Sequence, residues 1–173
     1  MTEIRGTTPE DAPLICRLAE KTWWPTYSPI LAAEQISYML RTIYDEDLIA
    51  GQIKNGQQQY LILLHDHVPK GFTAFAPRSG EPNVFKLHKL YCLPETKGMG
   101  FGKKLLREVE KGVVASGATI LDLNVNRYNP ARSFYEKMGF SVIYEEDIPI
   151  GPYWMNDYVM RKSLTTDSPD ARR

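Results

Sequence analysis

Leu90-Tyr91-Cys92-Leu93-Pro94-Glu95-Thr96-Lys97-Gly98-Met99-Gly100-Phe101-Gly102-Lys103-Lys104-Leu105-Leu106 holds a strand ending at Pro94, three glycines at alternate positions and the start of an amphipathic helix. Glycines there let the backbone come close to a ligand, and the free N–H groups of a first helical turn attract phosphate. Lys103 and Lys104 add positive charge beside that turn. Two nucleotide-binding motifs are excluded. A P-loop needs G-x-x-x-x-G-K-[ST], but Lys104 follows Gly102-Lys103 and position 97 is Lys. A dinucleotide fingerprint needs G-x-G-x-x-G, but Lys103 stands where the third glycine belongs.

Working outward, Phe101, Leu105, Val109 and Val113 recur every four residues and predict a helix from Gly98 to about Ser116. Ile120 to Val125 alternates, with Leu121, Leu123 and Val125 opposite Asp122 and Asn124, and reads as a strand. With the extended run from Asn83 to Leu93, this makes a strand-helix-strand unit and therefore a parallel step in the sheet. Gln59 to His65 and Gly71 to Ala76 read as strands joined by Asp66-His67-Val68-Pro69. Residues 2 to 6 form a first strand. Thr8-Pro9-Glu10-Asp11 opens a helix whose stripe of Leu14, Ile15, Leu18 and Ala19 runs to about Lys21, where Trp23-Trp24-Pro25 should interrupt it. A second helical region spans about Ala32 to Lys54, broken near Tyr44-Asp45. A helix over about Pro130 to Met138 and strands over 140 to 147 and 153 to 162 complete the order.

The 173 residues make one domain, assigned to 1–162, with 163–173 expected to be a disordered tail. Hydrophobic residues make up 43% and charged residues 24%, the balance of a globular protein. Lys plus Arg equals Asp plus Glu at 21 each, which argues against a nucleic-acid partner. The N-terminus has no apolar signal core and no apolar run is long enough to span a membrane, so the expected setting is the cytoplasm. Cys16 and Cys92 fit free thiols there, and no metal site is expected; His65 and His67 flank a hairpin turn.

A second block carries family information: Asn129-Pro130-Ala131-Arg132-Ser133-Phe134-Tyr135-Glu136-Lys137-Met138-Gly139-Phe140. Lys97-Gly98-Met99-Gly100-Phe101-Gly102 resembles the pyrophosphate loop of the GNAT superfamily of N-acetyltransferases, with Lys in place of the usual Gln or Arg. The second block resembles that superfamily's closing signature, and the two stand in the right order with one helix and one strand between them. The resemblance covers residues 2 to 162. It implies an α+β, three-layer fold: a mixed, mostly antiparallel central sheet of about six to seven strands with helices on both faces. The activity it implies is acetyl transfer from acetyl-CoA to a primary amine, by direct attack in a ternary complex. The acceptor would be a small molecule such as a polyamine, or a peptide or protein amine.

The resemblance also assigns residues. Backbone of Leu90, Tyr91 and Cys92 would hold the pantetheine arm, and the N–H groups from Gly98 through Met99, Gly100, Phe101 and Gly102 to Lys103 would hold the pyrophosphate, with Lys97 beside them. Asn129 and Lys137 are assigned to the same ligand. Tyr135 aligns with the tyrosine that protonates the departing thiolate, the acid the chemistry needs. Where many relatives carry a Glu on the strand before the loop, this chain has His88, the candidate base. Asp122 and Asn124 could hold a relay water. Trp23, Trp24, Tyr27, Trp154 and Asp122 are the acceptor-side candidates, as aromatic walls with an acid that could receive an amine cation. Thr22-Trp23, Thr26-Tyr27, Gln35 and Tyr38-Met39-Leu40, with Lys89-Leu90-Tyr91 before the loop, resemble a bacterial branch that includes polyamine acetyltransferases, and a homodimer is left open. Because the pre-loop Glu is missing, a non-catalytic acyl-CoA-binding or regulatory module is the alternative.

Overall fold

The computed structural model describes residues 1–164. In chain order the strands are β1 (Thr2–Gly6), β2 (Gln59–His65), β3 (Val68–Pro77), β4 (Val84–Cys92), β5 (Ile120–Asn126), β6 (Ser141–Ile150) and β7 (Tyr153–Ser163). The helices are α1 (Ala12–Tyr27), α2 (Ala33–Ile43), α3 (Glu46–Lys54), α4 (Phe101–Ala115) and α5 (Ala131–Lys137). The strands join in one mixed sheet of seven, in the order β1-β2-β3-β4-β5-β7-β6. β1 and β2 run antiparallel, as do β5 with β7 and β6 with β7, while β4 and β5 make the expected parallel step.

The chain divides into two compact units, Met1–Ala74 with Lys89–Leu105, and Phe75–His88 with Leu106 onward. In the first, helices cover both faces of its strands. Leu63, Phe101 and Leu105 form a core against which Ile4, Leu90 and Cys92 pack, so α4 begins on that face. Alternation turns Tyr91 the other way, where its ring meets Trp23 and Tyr27 of α1, and Phe72 of β3. In the second unit Phe75 packs on Gly112 of α4, where an added Cβ would come within 3.0 Å of the Phe75 ring.

Four local expectations are corrected. α1 does not stop at Lys21 but continues through Pro25 to Tyr27. Pro25 and Lys21 lie on the exposed side, so the carbonyl that loses its partner faces water, while Trp23 and Tyr27 bury on the other side. The β2–β3 turn is Asp66-His67 alone, with φ of 50° and 67°, and Val68-Pro69 already belong to β3. α4 begins at Phe101 rather than Gly98, because Gly98 and Gly100 take φ of +85° and +79°. The expected tail begins too early: Ser163 closes β7 and Leu164 is buried, donating its N–H to the Thr119 carbonyl. The rest of that tail lies outside the described residues.

Candidate active site

The glycine turn belongs to the first unit. β4 ends at Cys92, and a single 3-10 turn at Pro94–Thr96 is locked by Thr96, whose hydroxyl donates to the Leu93 carbonyl at 2.6 Å. The N–H groups of Lys97 and Met99 are spent on Pro94 and Thr96 carbonyls. The first α4 bond of the helical pattern is Lys104 N–H to Gly100 carbonyl at 3.1 Å. The N–H groups of Phe101, Gly102 and Lys103 therefore precede any intrahelical acceptor. Left-handed φ at Gly98 and Gly100 is costly for a residue with a Cβ, and the space around both positions is open. Lys97, Gly98, Met99, Gly100 and Lys103 are all exposed. An exposed turn with aimed N–H groups and two lysines can accept an anion.

Leu90, Cys92 and Phe101 put their side chains into the core, leaving their backbones as the groups with chemistry to offer. Burial pushes the Cys92 thiol up to about 12, and burial also raises Cys16, to about 11. Neither thiol ionises at neutral pH.

The acceptor-side aromatics separate by burial. Trp23 is 3% exposed and its indole N–H donates to the Tyr44 hydroxyl at 3.1 Å. Tyr27 is 5% exposed, with its hydroxyl 2.9 Å from that of Tyr91. Both belong to an aromatic core completed by Tyr44 and Phe72, not to an open wall. Trp24 is half-buried and Trp154, at 56%, is exposed. Tyr44 was not anticipated; its position at the break between two helices gave no cue that its ring turns inward.

The second unit holds the remaining candidates. His88 is exposed near the middle of β4, just after the last registered β4–β5 pair, Leu87 with Leu123. Tyr135 is buried on α5 between Phe134 and Phe140, with ring centroids at 5.2 and 5.8 Å. Asn129 spends its side-chain carbonyl on the Ala131 N–H at 2.9 Å, helping to open α5, and Lys137 is exposed near its end.

Asp122 does not match the expectation of an acid awaiting an amine. It is fully buried and its oxygens are taken by Arg161 at 2.6 and 2.9 Å and by Arg78 at 3.3 Å. Its charge is spent inside the sheet. The acid in a different situation is Asp157, 5% exposed, on the strand paired with β5. Asn124 donates from Nδ2 to Glu146 at 3.0 Å and to Asp157 at 3.3 Å. Burial, and secondarily Glu146, hold the Asp157 carboxyl above the usual range, opposed by Asn124, Lys86 and Arg127. Lys86 on β4 has its pKa lowered, first by burial and then by Arg78, against the pull of Glu146, Asp157 and Asp122. Lys86 and Glu146 were missed in the sequence. β6 runs on to Ile150, and the two-residue turn at Gly151-Pro152 sets Glu146 directly opposite Asp157, a register that strands over 140 to 147 and 153 to 162 did not fix.

A mixed seven-stranded sheet with a glycine turn opening the helix after its fourth strand is the framework of a CoA-dependent acyltransferase. The family described as "Acetyltransferase (GNAT) domain" matches residues 28–152, and the chain belongs to it. It is 32% identical over 142 residues to the spermidine N(1)-acetyltransferase of Thermoplasma acidophilum, covering 81% of this chain and 88% of that one. The crystal structure of the PaiA N-acetyltransferase from Thermoplasma acidophilum, in complex with coenzyme A, superposes with a TM-score of 0.82 at 30% identity, covering 95% of this chain and 99% of that chain. A GCN5-related N-acetyltransferase structure from Rhodopseudomonas palustris gives 0.80 at 26% identity, covering 95% and 96%. The protein is an acetyl-CoA-dependent acetyltransferase. Among the described residues no helix is long and apolar enough to cross a membrane, and no group of His, Cys, Asp and Glu could hold a metal ion.

Proposed function

We propose that this enzyme acetylates a primary amine of a small polycationic acceptor, a polyamine, by direct attack on acetyl-CoA within a ternary complex. The observation that carries the acceptor class is the 32% identity, over most of both chains, to a spermidine N(1)-acetyltransferase. Acetyl-CoA supplies the activated acetyl thioester, and the chain's own groups do the rest. The N–H groups of Gly98, Gly100, Phe101, Gly102 and Lys103 hold the pyrophosphate, with Lys97 adding charge. The backbone of Leu90, Tyr91 and Cys92 holds the pantetheine arm, and Asn129 and Lys137 add contacts.

Tyr135 gives its phenolic proton to the thiolate as the C–S bond breaks. His88 takes the proton from the attacking amine, directly or through water. Direct transfer is favoured over an acyl-enzyme because the two thiols that could carry an acetyl group stay protonated at neutral pH. Free thiols also suit a cytoplasmic location.

The test is a thiol-release assay with acetyl-CoA over a panel of polyamines, amino acids, aminoglycosides and peptide N-termini. Spermidine should give the highest kcat/KM. CoA binding without thiol release for any amine would instead identify a non-catalytic acyl-CoA-binding module.

A further inference from the structure

Glu146 of β6 and Asp157 of β7 face each other directly across an antiparallel ladder. Like charges so placed repel, and a sheet serving stability alone avoids the arrangement. Asn126, paired with Asp157 from β5, lies on the same face and is spent on Met155 at 3.7 Å. Asn124 bridges the two acids with its amide N–H groups, yet the bridge is incomplete. Oδ1 of Asp157 and Oδ1 of Asn124 are both buried and have no hydrogen-bond partner. An unmet buried acceptor is expensive, and an unmet carboxylate oxygen more so. Lys86 is a nearby cation whose ammonium feels the charges of Glu146, Asp157 and Asp122. Arg127 does not fill the gap: its Nε meets the Asp157 backbone carbonyl, and its guanidinium goes to Asp147 at 2.8 Å and Glu145 at 3.5 Å. Two acids, two orphaned acceptor oxygens and an amide already donating to both are complementary to a group with several N–H donors and a positive charge.

We propose that Asn124, Glu146 and Asp157 form a subsite for an alkylammonium group of the acceptor, the one that is not acetylated. The inference rests on the polyamine reading above. An amine that attacks a thioester must be neutral, so a polyamine is held by a nitrogen that keeps its charge, and recognition and reaction fall to different nitrogens. An ammonium donates up to three hydrogen bonds, enough for the Asp157 and Asn124 oxygens and Glu146. The unliganded protein carries the cost of the opposed acids, and the ligand relieves it.

The experiment is calorimetry on the full chain saturated with CoA, titrated with spermidine, 1,4-diaminobutane and butylamine, for wild type, Asp157→Asn and Glu146→Gln. Spermidine should bind wild type far better than butylamine, with affinity falling as salt rises. Each variant should weaken spermidine at least tenfold while leaving CoA affinity unchanged. In the unliganded state Asp157→Asn should melt at or above the wild-type temperature, since an orphaned charge is removed; a purely structural acid would make it melt lower. If Asp157→Asn fails to fold, Glu146→Gln decides. Wild-type spermidine affinity in the folded variants, or no spermidine binding by wild type, overturns the subsite. Turnover of the same amines and of peptide N-termini in the thiol-release assay separates failure of the subsite from failure of the polyamine acceptor: continued polyamine acetylation keeps that acceptor, and acetylation confined to peptide N-termini replaces it.

Discussion

Gly100 is where the chain's covalent structure most directly limits its chemistry. Its φ of +79° costs a residue with a Cβ about 1–2 kcal/mol, so a β-branched side chain would drive the turn that presents the N–H groups of the first α4 turn out of this conformation. Gly100→Val should lose CoA binding by calorimetry while keeping its circular dichroism, because the surrounding space is open and the fold does not depend on that position. Tyr135→Phe removes one hydroxyl from a ring that stays packed against Phe134 and Phe140. kcat should fall about 100-fold with CoA affinity unchanged, the usual size of a general-acid contribution. His88→Ala should flatten the rising limb of kcat/KM with pH, and His88→Gln should as well, since an amide cannot accept the proton. Asp157 supplies a stability test with a definite sign. Its folded pKa is raised, so its contribution is fully present below the usual carboxylate pKa and is lost as pH climbs through the raised value. The groups around it are Lys86 from β4, Asn124 from β5, Glu146 from β6 and Arg127. Asp157→Asn has no such loss. Its melting temperature relative to wild type should therefore increase as pH rises from about 4 to about 7, by about 2–4 °C per kcal/mol recovered.

Among the elements, β5 and β7 carry the buried ion pair that the sequence made look like a binding group. Asp122 is fully buried against Arg161 and Arg78, so Asp122→Ala leaves two guanidinium groups without their carboxylate. Arg78 keeps Glu81 at 3.0 Å and Arg161 reaches solvent, so the substitution should cost about 1–3 kcal/mol in denaturant unfolding, and any loss of activity should follow from the loss of folded protein. Alternation along Ile120 to Val125 correctly gave Asp122 a face opposite Leu121 and Leu123, but not what would cover that face, because Arg161 arrives from a strand 39 residues further on. Trp23 and Tyr27 were misjudged for a related reason. Pro25 looked like a break, whereas a proline on the exposed side of a helix loses a bond to water and leaves the buried stripe intact. The glycine turn and the closing helix were legible because each is a local pattern. The Asn124–Glu146–Asp157 group was not, since it exists only once three strands are in register.

For the whole molecule, the parallel β4–β5 step and the antiparallel β6–β7 hairpin agree with the strand-helix-strand unit and the closing pair of strands read from the chain. Zero net charge fits an enzyme whose charges act locally: lysines beside the glycine turn, acids in the β5–β7 region. The reaction proposed for it is acetyl transfer from acetyl-CoA to a polyamine without a covalent enzyme intermediate. Initial rates of thiol release, with acetyl-CoA and spermidine varied together, test it most directly. Direct transfer gives double-reciprocal lines that intersect, with one thiol released for each acetylated amine formed. Parallel lines, or no thiol released with spermidine, would contradict it.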